Sequence, residues 1–241
     1  MKSIVLDIET TGINPKKDRI IEIAIIELND FKIVNEFSTL IRTDKAISQK
    51  AYTIHGISEK MLVDAPTFIE ISDLVREKLK DSILIGYRCL SFDLRFINYE
   101  LFRSGKMPVF PSTFDLSKLN GYFNSRSLYQ IAKKLNIASN VVHRAMPDAR
   151  ITLKIVRWLV ERFSKEFILN NLHEYNSKVS KIVDAVNGNQ FLRIIYRGKY
   201  RISEHIGFPI EINENYLILY NKLFDKFYKL YAEKIIDVEA I

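Results

Sequence analysis

An acidic pair near the end of an apolar strand is the feature that most constrains the fold of this chain. Residues 3–8 form a nearly continuous apolar run, which is typical of a buried strand. Two more strands are expected at 20–28 and 31–41, joined by Asn29-Asp30, a pair typical of a two-residue hairpin. Three strands followed by amphipathic helices predict an α/β fold, with helices packed on a mixed sheet.

Apolar periodicity divides the chain into three parts. Within residues 1–164 it predicts a fourth strand over 82–87, helices over 93–103 and 127–137, a helix opened by Pro66, and a helix opened by Pro147-Asp148. An amphipathic linker helix is expected over 165–186. From 187 to 241, short β-rich runs separated by glycines and Asn-rich turns predict a small separate β domain.

Composition narrows the class of protein. Hydrophobic residues make up 47% and charged residues 27%, as in a folded globular protein. The net charge of +7, most of it within residues 1–164, fits either a polyanionic partner or a Lys-rich solvated surface. A single cysteine, Cys89, excludes a disulfide framework and a cysteine zinc site. No apolar run approaches the roughly 20 residues that cross a bilayer, and a cleaved leader would remove the first strand. We therefore expect a cytoplasmic protein without a membrane segment.

Asp7 and Glu9 stand two apart on the first strand, so both carboxylates leave the same face. Two neighbouring acids on an apolar strand repel each other and resist desolvation, and no Lys or Arg lies within the strand. A hard cation such as Mg²⁺ or Mn²⁺ would offset this repulsion. Alone, such a pair is more typical of two solvated acids at a strand end.

Two more aspartates stand at predicted helix starts, and a histidine precedes one of them. Asp93 follows the fourth strand, and Asp148 opens the last long helix of residues 1–164. Each aspartate alone also fits a helix cap. His143 precedes Asp148 by five residues, which on one helix would place the two on different faces, so we expect His143 on the loop before Pro147. Alone, it also fits a surface histidine.

Jointly, the segments DIETTG, YTIHGIS (52–58), SFD and HRAMPDA resemble the DEDD superfamily of 3′–5′ exonucleases, in its DEDDh branch. That branch includes RNase T and the proofreading epsilon subunits of replicative polymerases. The resemblance covers about residues 1–160 and implies a ribonuclease H-like mixed sheet flanked by helices. It also implies two divalent cations, Mg²⁺ or Mn²⁺, bridged by Asp7 and held further by Glu9, Asp93 and Asp148. His143 would be the general base.

The resemblance extends to substrate contacts. Thr10 and Thr11 would lie beside the 3′ nucleotide, and Phe92 and Phe96 near its base or sugar. Taken alone, both phenylalanines are more typical of the core of the 93–103 helix. His55 would reach the substrate, or serve as a structural hydrogen-bonding residue.

The second motif departs from the family pattern H-N-x-x-F-D, since it reads RCLSFD over 88–93. We expect Cys89 to be a small buried residue. Arg88 is compatible with a phosphate contact or with a solvated arginine. The departure leaves the metal-binding Asp93 in place and puts the contact with the terminal nucleotide in question.

Residues 190–236 resemble a WYL domain, a compact Sm/SH3-like β barrel. FLRIIYRGKYRISEHIG, NYLILY and FYKLYAEKI carry the resemblance, with Asn215-Tyr216-Leu217 in place of the namesake tripeptide. It implies a module that binds a ligand or nucleic acid. The cluster Arg193, Arg197, Lys199 and Arg201 fits phosphate binding or a solvated face equally.

The sequence thus predicts a 3′–5′ exonuclease that removes nucleotides from DNA, with RNA as an alternative, by two-metal-ion phosphodiester hydrolysis. The expected partner is nucleic acid with a free 3′ end, single-stranded DNA above all, and DNA repair is an expected setting. The 1–164 part would be the exonuclease domain. Alternatives are a polymerase proofreading subunit and a catalytically silent nucleic-acid-binding regulator on the same fold. The additional β domain favours a free-standing or regulated enzyme over a polymerase subunit.

Overall fold

The computed structural model describes residues 1–138, 143–175 and 177–241. Its strands are β1 Lys2–Thr10, β2 Ile20–Asn29, β3 Lys32–Leu40, β4 Ile83–Gly86, β5 Ser112–Asp115, β6 Leu192–Arg197, β7 Ile202–Ile212, β8 Tyr216–Asn221, β9 Lys226–Tyr231 and β10 Ile235–Ala240. Its α-helices are α1 Gln49–His55, α2 Phe68–Leu79, α3 Asp93–Arg103, α4 Asn120–Phe123, α5 Leu128–Lys134, α6 Ala145–Phe163, α7 Lys165–Asn170 and α8 Ser177–Asn187.

The first sheet has five strands in the order β3-β2-β1-β4-β5. β1 lies at its centre, antiparallel to β2 and parallel to β4, so the predicted mixed sheet is confirmed. Side chains of β1 alternate between two cores: Val5 packs with the α6 side, whereas Ile4 and Leu6 pack with the side of α2 and α3. The same alternation directs Asp7 and Glu9 toward the α6 side at the strand's end.

Several predicted elements begin one or two residues away from their predicted starts. The hairpin turn lies at Asp30-Phe31, both with positive φ, one residue later than the Asn29-Asp30 pair. α2 begins at Phe68 because Thr67 and Glu70 form a capping box there. α6 begins at Ala145, two residues before Pro147, and its first turn tolerates proline because amides there have no intrahelical acceptor.

The single linker helix predicted over 165–186 is wrong, since the structure has two helices, α7 and α8, in this region. Between them the backbone amide of His173 donates to the carbonyl of Thr113 at 2.7 Å. The chain therefore runs beside the start of β5 here, and this hydrogen bond to the sheet competes with helix continuation.

The second sheet is antiparallel, in the order β10-β6-β7-β8-β9. The predicted β-rich C-terminal region is confirmed, but the predicted Sm/SH3-like barrel is wrong, because among the described strands β9 and β10 remain unpaired edges. Helix α8 covers the apolar face instead: Val179, Ile182 and Val186 pack with Leu192 and Leu219. With a helix burying that face, the sheet does not need to curl onto itself.

Helix α3 contacts both sheets. On one side it packs against β1 and β4 through Phe96 and Ile97. On the other, Tyr99 packs with Phe208 and Ile210 of β7. The first residue of α3 is Asp93, so the second sheet abuts the helix that carries a predicted site residue.

Among the described residues, no helix has the length and apolar content that crossing a bilayer requires.

Candidate active site

Asp7 and Glu9 leave β1 on the same face, as the two-residue spacing predicted. In the antiparallel pairing with β2, Glu9 stands opposite Glu22, and the register shifts between Glu9 and Thr10. A third acid therefore joins the pair on this face. Glu22 is 5% exposed.

An arginine that sequence reasoning missed neutralises Glu22. The guanidinium of Arg144 lies 2.6 Å from Glu22, and the backbone amide of Ala145 donates to the same carboxylate at 2.9 Å. This pairing raises the pKa of Arg144. It also anchors the start of α6 on β2, which fixes the loop end that carries His143 and Asp148.

Asp148 is the fourth residue of α6, and its amide already donates to the carbonyl of Arg144 at 3.1 Å. It is therefore not a helix cap, and its carboxylate is free to face β1. Oδ1 accepts a hydrogen bond from the hydroxyl of Tyr129 in α5. Tyr129 is a second neighbour that the sequence pattern did not reveal, because the contact joins two helices.

Three of the four predicted metal ligands meet closely. One carboxylate oxygen each from Asp7, Glu9 and Asp148 lie within 4.8 Å of one another. Asp93, 4% exposed, does not belong to this group of three but lines the same cavity, which has a volume of about 330 Å³. Four acids thus share one small open space at the end of β1.

These carboxylates hold their protons unusually tightly. Burial raises the pKa of Asp7 well above its ordinary value, and the charges of Asp93 and Asp148 raise it further. Burial, with the charge of Asp148, raises the pKa of Glu9 to about 8. Burial raises the pKa of Asp93 to about 8, against the hydrogen bonds from backbone amides. Burial also raises the pKa of Asp148, although Tyr129 and His143 oppose the rise.

The donor set fits a hard divalent cation. The close group offers only carboxylate oxygens, the ligands that Mg²⁺, Mn²⁺ and Ca²⁺ prefer, at about 2.0–2.6 Å from the ion. In the described part of the chain, neither Asp7 nor Glu9 forms an ion pair with Lys or Arg. A cation would thus relieve a repulsion that, at Glu9, the charge of Arg144 opposes without cancelling.

His143 lies on the segment before α6, as its spacing predicted. Its Nδ1 is 4.0 Å from Oδ2 of Asp148, and its side chain is 42% exposed. The backbone φ is +45°, and the amide donates to the Tyr129 hydroxyl at 3.3 Å. The imidazole therefore lies on the solvent side of the four acids, next to Tyr129, which also binds Asp148.

Thr10, Thr11 and His55 lie near the site but do not line the carboxylate cavity. The hydroxyl of Thr10 donates to the carbonyl of Gly12 at 2.6 Å, and that of Thr11 accepts from the amide of Arg19 at 3.0 Å. His55 is 6% exposed, its Nδ1 accepts from the amide of Ile57, and burial lowers its pKa. In this structure the two threonine hydroxyls stabilise the loop after β1, and His55 stabilises the turn after α1.

The second motif separates into exposed and buried positions. Phe92 lines the cavity, while Phe96 is fully buried in the core and its ring centroid lies 4.9 Å from that of Phe92. Cys89 is fully buried, as predicted, and burial raises its pKa. Cys89 is not among the residues that line the cavity, whereas Arg88 is.

The fold and the site define a class: α/β proteins in which acids at the end of a central strand hold divalent cations. The family model for exonucleases, RNase_T, matches residues 4–156. The chain belongs to this exonuclease family. The match spans all four acids and His143.

Several bacterial DNA polymerase III proteins are similar to this chain in sequence. DNA polymerase III subunit epsilon of Buchnera aphidicola is 32% identical over 76% of this chain and 82% of its own length. The PolC-type DNA polymerase III of Clostridium perfringens is 30% identical over 76% of this chain but 13% of its own length. That of Thermotoga maritima is 33% identical over 67% of this chain and 12% of its own length. The chain thus spans about an eighth of these PolC relatives.

Solved structures resemble nearly the whole chain. The zinc-bound complex of E. coli exonuclease I with single-stranded DNA covers 90% of this chain and 54% of its own, with a TM-score of 0.66 and 17% identity. Exonuclease I of Methylocaldum szegediense covers 91% of this chain and 54% of its own, with a TM-score of 0.65 and 18% identity. At these identities the likeness establishes the fold.

Proposed function

We propose that this protein is a metal-dependent 3′–5′ exonuclease of the DEDDh type that removes nucleotides from single-stranded DNA. The convergence of Asp7, Glu9 and Asp148 within 4.8 Å, in a chain of the exonuclease family, carries this proposal. Asp93 in the same cavity and His143 beside Asp148 complete the set that the family resemblance implies.

Two Mg²⁺ or Mn²⁺ ions bound here would activate the attacking water, neutralise the phosphoryl group and stabilise the leaving oxygen. The residues that would hold them are Asp7, Glu9, Asp93 and Asp148. Binding requires all four as carboxylates, so the raised pKa values make ion binding weaker at low pH. Tyr129 fixes one oxygen of Asp148 and leaves the other for an ion.

His143 is the proposed general base. Its Nδ1 faces Asp148 across 4.0 Å, so Nε2 is the atom that would take the proton from the attacking water. A half-exposed imidazole suits this step because it can accept a proton from a bound water and pass it on to solvent. His143 directly precedes Arg144 in the chain. Because Arg144 is held by its ion pair with Glu22, the backbone at His143 can move little.

The proposed substrate is a single DNA strand with a free 3′ end. Phe92 at the cavity offers a ring on which an unpaired terminal base can stack, a contact that tolerates any sequence. The net charge of +7 favours a polyanion. The related E. coli exonuclease I structures include complexes with dA16 and dT13 oligonucleotides.

For the chain as a whole, we propose an exonuclease domain at residues 1–164 and a binding module at 187–241. The second sheet exposes Arg197, Lys199, Tyr200 and Arg201 around the turn between β6 and β7. Basic and aromatic side chains together are typical of a surface that holds nucleic acid or another anionic ligand. Although the sheet is open, we propose for it the role that the WYL resemblance implies, the binding of a ligand or nucleic acid.

A digestion assay tests the enzymatic proposal. Wild-type protein with Mg²⁺ or Mn²⁺ is expected to release mononucleotides from a 3′-labelled single strand, and EDTA is expected to stop it. Asp7→Ala should abolish release, whereas Asp64→Ala, an exposed acid outside the cavity, should not change it. Undiminished activity of Asp7→Ala, activity in EDTA, or equal cleavage of a circular strand would overturn the proposal.

A further inference from the structure

Arg88 lies at an unusual place for an arginine in this molecule. It is exposed, and it lines the cavity that Asp7, Glu9, Asp93 and Asp148 share. Despite this acidic surrounding it forms no ion pair in the described part of the chain. Its guanidinium donates to the carbonyl of Arg126 across a long 3.4 Å and lies 5.7 Å from the ring centroid of Tyr87, and neither contact neutralises its charge.

Other arginines near the site are committed to the fold. Arg144 pairs with Glu22 at 2.6 Å, Arg19 with Glu100 at 2.7 Å, and Arg95 with Glu211 at 3.2 Å. Each of these acidic partners is at least 94% buried at its side chain, so the pairs are structural. Arg88 is the cavity arginine whose positive charge the protein leaves available to a ligand.

The backbone of Arg88 has an unfavourable conformation that hydrogen bonds stabilise. Its φ is +59°, in the left-handed region that disfavours residues with a Cβ. Asp115, at the end of β5, accepts from the amide of Arg88 at 2.8 Å and from that of Leu90 at 3.2 Å. Asp115 is 5% exposed, and Ser117 binds the same carboxylate through its amide at 2.9 Å.

Close packing against β4 also fixes the loop that follows this strand and carries Arg88. A Cβ built on Gly86 would lie 2.5 Å from the Cβ of Cys89, so β4 and the loop touch at this point. Buried Cys89 and the hydrogen bond to Asp115 thus fix the backbone on both sides of Arg88, whose side chain lies in the cavity lining. A strained residue that its surroundings hold so firmly points to a function.

We propose that the guanidinium of Arg88 binds a backbone phosphate of the substrate strand, and that Asp115 is the positioning residue that holds Arg88 there. The inference rests on the proposed exonuclease function. The four acids would serve the scissile phosphate through their cations, so a second anion in this cavity is the next phosphate on the 5′ side. Arginine matches a phosphate with two parallel N–H donors.

Arg88→Gly is the informative substitution, because glycine accepts the positive φ and removes only the side chain. We expect KM for a single strand to rise about tenfold, with kcat changed less than about twofold, since one charged contact is lost. The slope of log KM against log salt should fall by about 0.7, the value for one phosphate contact on a single strand.

Two control variants isolate the guanidinium. Asp81→Gly makes the same backbone change at an exposed residue with φ of +57°, at the opposite end of β4. Lys45→Ala removes one exposed positive charge outside the cavity lining. Both should keep the wild-type KM and salt slope, and all variants should keep the wild-type melting temperature within a few degrees.

The substrate side of the contact is tested with neutral methylphosphonates placed singly along the strand. For wild-type protein, the linkage next to the scissile one should raise KM about tenfold. In Arg88→Gly that linkage should have no further effect, and Asp115→Asn should weaken its effect without abolishing turnover. A merely structural role for Asp115 would lower stability or kcat and leave the methylphosphonate profile unchanged.

The outcomes separate this inference from the function it rests on. No metal-dependent digestion by the wild type would overturn both. Digestion that depends on Asp7, with an unchanged KM, salt slope and methylphosphonate profile in Arg88→Gly, would overturn the role of Arg88 alone. A wild-type profile sensitive at another linkage would overturn the assigned phosphate.

Discussion

At the scale of residues, the strand periodicity of two sufficed to place Asp7 and Glu9 on one face, and helix signals placed Asp93 and Asp148 near helix starts. The structure brings three of these acids within 4.8 Å. Their supporting neighbours were not predictable. Glu22 reaches the group through the β1–β2 register, and Tyr129 through the packing of α5 on α6, and neither is encoded in local spacing.

Tyr129 is the neighbour whose loss should affect turnover most directly. Its hydroxyl donates to Asp148 and accepts from the amide of His143, so it sets the position of both. We predict that Tyr129→Phe lowers kcat about tenfold with little change in KM, since small displacements of reacting groups are costly. Single-turnover digestion measures this. Tyr122→Phe, an exposed tyrosine, is the control, and equal rates for the two variants would contradict the prediction.

The raised carboxyl pKa values predict how stability depends on pH without metal. A carboxyl whose pKa rises on folding binds its proton more tightly in the folded chain. For Glu9 the resulting destabilisation is absent below its ordinary value of 4.5, grows as the pH rises, and is complete above about 8. In EDTA, the free energy of unfolding should therefore fall between pH 6 and pH 8.5.

Urea unfolding at the two pH values measures this fall, and Glu9→Gln separates it from other titrations. The variant should lose part of the pH dependence, because glutamine has no proton to release. Mg²⁺ or Mn²⁺ should stabilise the wild type more at pH 8.5 than at pH 6, where protons compete with the ion. A wild type and variant with identical pH profiles would show that Glu9 is not buried among like charges.

At the scale of elements, helices with strong apolar periodicity were predicted well. The predicted range 93–103 of α3 is confirmed at both ends. What failed was set by contacts between distant segments. Between α7 and α8 the amide of His173 donates to the carbonyl of Thr113, and α8 lies across the apolar face of the open second sheet. A pattern within 165–186 alone contains neither contact.

The ion pair between α3 and β7 tests how much one element supports another. Glu211 is 2% exposed at its side chain, and Arg95 lies 3.2 Å from it. Arg95→Met leaves a buried carboxylate whose remaining hydrogen-bond donor, among the described residues, is the hydroxyl of Tyr216. We predict a loss of about 2 kcal/mol, less than for a fully buried pair because Arg95 is partly solvated.

A surface ion pair gives the matched control. Arg150 and Glu36 lie closer together, at 2.7 Å, but the side chain of Arg150 is 56% exposed. Arg150→Met should cost at most about 0.5 kcal/mol, because water screens the pair. Denaturant unfolding of both variants decides whether burial or distance sets the energy. A larger loss in Arg150→Met than in Arg95→Met would contradict the argument.

At the scale of the whole molecule, the sequence predicted a separate β domain, whereas the structure joins the two sheets through α3. Phe102 of this helix lies 4.7 Å from the ring of Tyr220 and 5.5 Å from that of Phe227. The side-chain amide of Asn187 accepts a hydrogen bond from the backbone amide of Phe110 and donates one to its carbonyl, each at 3.2 Å. Since α3 belongs to both cores, we expect the two sheets to unfold in one cooperative transition.

The single tryptophan makes this expectation measurable. Trp158 lies on α6, in the core of the first sheet, whereas the fully buried Ile210 lies on β7 of the second. Ile210→Ala should cost about 2–5 kcal/mol by removing buried methyl groups. If the sheets unfold together, the fluorescence of Trp158 reports this loss although no contact near it has changed. Ile202→Ala, on the same strand but 63% exposed, should leave the midpoint unchanged. An unshifted Trp158 transition in Ile210→Ala, beside a shifted circular dichroism transition, would show that the two sheets are energetically independent.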